Sequence, residues 1–160
     1  MAPPTLALMA ESIAATLVRV DPAHAAAYEA NLRETLAELE ALDGELRALL
    51  APYEGKTFYI YHPALGYFAQ AYGLHQKAVE FEGKKPTPRQ LQELVAQARS
   101  DGARVIFVQP QFDVRSAESI AEAIGGSVVT LDPLRADVFA NLREIAAELA
   151  EAFSRENAPS

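Results

Sequence analysis

The sequence predicts an α/β fold: a three-layer lobe around a four-stranded parallel sheet, preceded by a long helix. Three observations carry this. Four short apolar runs, at 57–61, 77–81, 104–108 and 127–131, read as strands. Each is followed by a stretch of helical periodicity, and that alternation builds parallel sheets with right-handed crossovers and helices on both faces. Residues 1–51 are helical in pattern before any strand begins, more than one small sheet needs for cover.

Pro3-Pro4 suit a helix entry, and Leu6, Met9, Ile13 and Leu17 follow at helical spacing up to Asp21-Pro22. Asp21 is expected to cap the next helix, with Pro22 at its first position. Leu32, Leu36, Leu39, Leu42, Leu46 and Leu49 then form one stripe, so a single helix is expected over 23–50. Thr57-Phe58-Tyr59-Ile60-Tyr61 is aromatic and β-branched and ends at His62-Pro63. A short helix over 64–72 closes at Gly73, and a weaker strand covers 77–81. Thr87-Pro88 opens a helix that stops at Gly102. Arg104-Val105-Ile106-Phe107-Val108 reads as a strand buried on both faces. Helices over 115–124 and 136–153 flank the last strand.

The 160 residues fit one domain, 50% hydrophobic and 22% charged. Fourteen basic against 22 acidic residues give a net charge of −8, which argues against a phosphate-backbone partner and so against nucleic acid. Cysteine is absent, so disulfides, thiolate metal sites and thiol nucleophiles are excluded. No signal peptide and no apolar run of membrane-spanning length is visible.

Ligands of open parallel sheets bind at the carboxyl ends of the strands. There the sequence places His62, Glu80 and Glu82, Gln109-Pro110-Gln111, and Asp132-Pro133. No G-x-S-x-G elbow and no phosphate-binding loop with a Lys is present. A lone strand-end histidine is more often a hydrogen-bonded structural group, and an Asp before Pro more often a turn residue. Together on one edge, His62 and Asp132 suit a divalent metal with mixed N and O ligands. Two ligands do not complete a zinc site, which usually takes four. Glu80 and Glu82 read as a solvated turn, His24 as exposed and inert, and His75 as part of a surface loop. Tyr59, Tyr61, Tyr67, Phe68 and Tyr72 read as core and pocket wall.

The run Phe58-Tyr59-Ile60-Tyr61-His62-Pro63-Ala64-Leu65-Gly66-Tyr67-Phe68, then Tyr72-Gly73-Leu74, resembles the metal-binding solute-binding proteins of zinc and manganese ABC transporters. Glu82-Gly83-Lys84-Lys85-Pro86-Thr87-Pro88, Val105 to Phe112 and Leu131-Asp132-Pro133-Leu134 match in the same order and spacing. Lys85 departs from the Glu usual in that family. The resemblance covers the C-terminal half of such proteins, two lobes joined by a long rigid helix with the metal between them. It implies one domain over 1–160: a helical entry and connector helix in 1–51, then a C-terminal lobe in 52–160. It implies that the chain begins inside a family motif and lacks the N-terminal lobe with its two ligands. His62 and Asp132 match the C-lobe ligand positions, with Gln109 and Tyr61 as their supports. Zinc is favoured over manganese because position 62 is an imidazole.

The implied role is metal capture outside the cytoplasm, in the periplasm or its equivalent, and handover to an ABC permease without catalysis. Two other readings remain open: a small α/β hydrolase-type enzyme using His62 and Asp132, and a self-associating scaffold. Residues facing a missing lobe should be bare, with Leu6, Met9, Tyr61, Pro63, Leu65 and Phe112 as candidates, and the chain is expected to form a homodimer.

Overall fold

The computed structural model describes residues 2–81, 83–112 and 114–156. Glu82, read above as part of a solvated turn, lies outside them. Two helices come first, α1 (Pro3–Val20) and α2 (Ala25–Leu50), joined through a 3-10 turn at Pro22–His24. At 1.5 Å per residue the 26 residues of α2 span about 39 Å. The lobe follows as β1 (Thr57–Ile60), α3 (Gly66–Ala71), β2 (His75–Ala78), α4 (Pro88–Ser100), β3 (Val105–Val108), α5 (Val114–Ile124), β4 (Ser127–Thr130) and α6 (Val138–Glu156).

All strand pairs are parallel, in the order β2-β1-β3-β4. Side chains alternate across the sheet, and the core divides accordingly. Phe58, Ile60, Val105 and Phe107 pack on one face with Leu42, Leu46 and Leu50 of α2, Phe68 of α3 and Leu142, Ile145 and Leu149 of α6. Tyr59, Ile106 and Val108 pack on the other with Ala98 of α4 and Ala117, Ile120 and Ala121 of α5. Helix layers on both faces make the expected three-layer lobe. All four residues of β3 are buried, as its unbroken apolar run requires.

Local chemistry sets the element ends. Thr87 and Gln90 form a reciprocal capping box at the start of α4, each side chain accepting from the other's backbone N–H. Gly126 sits where a Cβ would lie 2.3 Å from the carbonyl oxygen of Arg104, so only glycine lets the chain enter β4 beside β3.

Several expectations are corrected. Asp21 does not cap α2 through its side chain. Its Oδ2 instead accepts from the Tyr28 hydroxyl and pairs with His24 Nδ1, both at 2.8 Å. His24 is exposed, as expected, but bonded. The second strand begins at His75, not Lys77, so His75 stands in an edge strand and not in a loop. Hydrogen bonding, which polar side chains at a sheet edge do not oppose, sets that boundary. Tyr61 and Leu65 were expected to be bare but are buried, and Leu6 packs against the core. Met9 and Pro63 are exposed and Phe112 is half-buried. Of the aromatic cluster, Tyr67 stands out in solvent.

Candidate metal centre

The parallel register lays out the carboxyl edge. β1 pairs with β2 at an offset that sets Ile60 beside Ala78, and with β3 so that Ile60 stands beside Phe107. Carried two residues past the strand, the same offsets put His62 beside both Glu80 and Gln109. The ladder does continue: Tyr61 N–H donates to Phe107 O at 2.8 Å, and Glu80 N–H to Tyr61 O at 3.1 Å.

Gln109 is fully buried and clamps the His62 backbone from both sides. Its Oε1 accepts from His62 N–H at 3.2 Å, and its Nε2 donates to His62 O at 2.7 Å. A buried amide needs such partners, and His62 gains a fixed backbone in exchange. The imidazole stacks on Phe112, with ring centroids 5.1 Å apart and planes 17° from parallel. Phe112 also packs against Tyr61, centroid to centroid 5.4 Å. The His62 side chain keeps 46% of its surface exposed.

His62 Nδ1 lies 2.6 Å from Glu80 Oε1. The Glu80 side chain is only 7% exposed, so the solvated-turn expectation is corrected: Glu80 is buried against the histidine. The missed signal was the strand register, which puts residues 62 and 80 side by side once β1 and β2 are paired.

Asp132 follows β4, across β3 from His62. Its Oδ1 accepts from Leu134 N–H at 3.0 Å and from Gln111 Nε2 at 3.2 Å. Gln111 and Leu134 thus hold the carboxylate through one oxygen. Among the described residues no three His, Asp or Glu side chains gather closely enough to hold a metal by themselves.

The edge therefore carries one clamped, half-exposed imidazole and one tethered carboxylate. The family model for the zinc-uptake complex component A, periplasmic, matches residues 1–152. The chain belongs to this family. Among curated members, the high-affinity zinc uptake system protein ZnuA of Brucella abortus (strain 2308) is 32% identical over 133 residues, 82% of this chain and 40% of that protein. ZnuA of Paracoccus denitrificans (strain Pd 1222) is 36% identical over 127 residues, 76% of this chain and 38% of the relative. The chain thus spans about 40% of the length of these curated relatives. A crystal structure of ZnuA superposes with a TM-score of 0.92 at 39% identity, over 95% of this chain and 60% of that one. A ZnuA deletion mutant with zinc bound gives 0.91 at 38% identity, over 99% of this chain and 60% of the other. The fold of this family member, long helix included, is therefore that of the zinc-uptake proteins. No described helix is long and apolar enough to cross a membrane.

Proposed function

We propose that the chain is the C-terminal lobe, with its connecting helix, of a solute-binding protein that captures zinc outside the cytoplasm. The protein hands the ion to the membrane permease of an ABC importer and does no chemistry on it. Residues 1–160 form one domain: helical entry and connector in 1–51, C-terminal lobe in 52–160. His62 and Asp132 are the ligands this lobe supplies, following the two strands that flank β3. Gln109 fixes the His62 backbone, and Tyr61 supports Phe112 beneath the ring. The remaining ligands, about two of four, come from a partner N-terminal lobe. The greater length of the relatives supports this. A borderline imidazole ligand favours zinc over manganese.

The observation that carries the proposal is His62: a half-exposed imidazole at the carboxyl edge of the sheet, clamped at both backbone groups by a buried amide. Calorimetric zinc titration of the chain tests it. The expected result is weak binding, at best micromolar, lost in His62→Ala. Nanomolar one-to-one binding that His62→Ala abolishes would overturn the half-site. Binding unaffected by His62→Ala would overturn the ligand assignment.

A further inference from the structure

We propose that Glu80 is a positioning residue that holds the His62 ring in its Nδ1-protonated tautomer, so that Nε2 is the atom offered to the metal. The inference rests on the reading of His62 as a ligand and names how that ligand is made ready.

The argument starts from donors and acceptors. An ionised carboxylate only accepts hydrogen bonds. Glu80 Oε1 lies 2.6 Å from Nδ1, and a carboxylate at that distance selects the tautomer that carries its proton on Nδ1. A neutral imidazole carries one N–H, so Nε2 keeps its lone pair. That lone pair is the form a cation requires, and the choice is made before any ion arrives.

Three features keep the ring from escaping this state. The Glu80 side chain is almost wholly buried, and a buried carboxylate without a partner is costly, so the bond to Nδ1 is enforced. The Glu80 backbone is held beside β1, because its N–H is tied to Tyr61 O. The imidazole cannot tumble freely, because Phe112 covers one face and Gln109 fixes the backbone beneath it. A flipped ring would set a C–H against the carboxylate where the N–H now stands. The carboxylate also makes the opposite nitrogen a better donor to a metal, the usual effect of such an outer partner.

Long-range proton–nitrogen NMR of the histidine rings tests this in the zinc-free chain, at a pH where His62 is neutral. The expected His62 pattern is a protonated Nδ1 and a bare Nε2. In Glu80→Ala the ring should exchange between both tautomers. Glu80→Gln keeps a carbonyl acceptor and should restore the Nδ1–H form, which a merely space-filling role would not predict. Added zinc should move the Nε2 resonance, and Glu80→Ala should weaken zinc binding about 10–100-fold. A protonated Nε2 in the unmutated chain overturns the proposal without any variant having to fold. So does a ring pattern identical in the unmutated chain and a folded Glu80→Ala. The expected tautomer with a ring that ignores zinc instead overturns the metal reading of His62, and with it the role assigned to Nε2.

Discussion

Tyr59, in the middle of β1, is a core residue with a polar handle. Its hydroxyl donates to Asp101 Oδ2 at 2.7 Å, and Lys77 Nζ meets the same oxygen at 2.7 Å, while Gln97 donates to Oδ1 at 2.9 Å. Burial, and then the bond to Asp101, hold the Tyr59 hydroxyl well above the usual phenol range. Burial works to raise the Asp101 carboxyl, but the bonds from Lys77, Tyr59 and Gln97 outweigh it and leave it below its ordinary value. The two groups limit stability from opposite sides. Tyr59 binds its proton more tightly when folded, so its contribution is complete below about pH 10 and lost as pH rises through the folded value. Asp101 is more acidic when folded, so its contribution is present above about pH 4 and lost as pH falls through the folded value. Urea unfolding across pH should therefore show a plateau that falls at both ends. Tyr59→Phe should lower the plateau by about 1 kcal/mol and flatten the alkaline limb. An unchanged alkaline limb in that variant would contradict the assignment. At this scale the sequence was partly legible. His62 and Asp132 stand at strand ends, as expected, because strand ends can be read from apolar runs. Glu80 was not, because its partner lies on another strand and only the register brings them together.

The clearest anomaly among the elements is α1. It packs on α2, yet Met9, Ile13, Leu17 and Val20, spaced by four, four and three, are all exposed along one face. A groove between the two helices, lined by Ile13, Leu17, Tyr28 and Leu32 among others, continues the apolar surface inward. An apolar stripe of this size on a chain alone in water should be covered. The expected cover is a second copy of the chain, paired helix to helix about a two-fold axis. Sedimentation velocity at micromolar concentration should find dimers, and Ile13→Glu with Leu17→Glu should return monomers. A monomeric parent chain would count against this. Among the described residues, pattern alone located the four strands and six α-helices, because apolar periodicity decides an element's existence. It misplaced the start of β2, where exposed His75 and half-buried Gln76 carry no hydrophobic signal. It also misjudged which residues were bare, because Tyr61 and Leu65 are covered by neighbours distant in sequence.

Over the whole molecule, α2 belongs to two environments. Its C-terminal half supplies Leu39, Leu42, Leu46 and Leu50 to the buried core, while along residues 25–38 no residue is fully buried and α1 is the neighbouring helix. The lobe is covered on both faces of its sheet, whereas the front of the molecule is a two-helix hairpin with one side open. Local stability follows buried apolar contact, so the two parts should open at different free energies. Leu46→Ala should cost about 2–5 kcal/mol, the range for a leucine removed from a closed core. Leu32→Ala, at a half-buried position facing the α1 groove, should cost distinctly less. Native-state hydrogen exchange would resolve the same gradient along one continuous helix. Amides of α1 and of residues 25–38 should exchange through local opening, and those of β1, β3 and the end of α2 only through global unfolding. The long helix would then be anchored at its C-terminal end and adaptable at the other. Uniform protection from Ala25 to Leu50 would show instead that hairpin and lobe open as one cooperative unit, and the adaptable end would have to be abandoned.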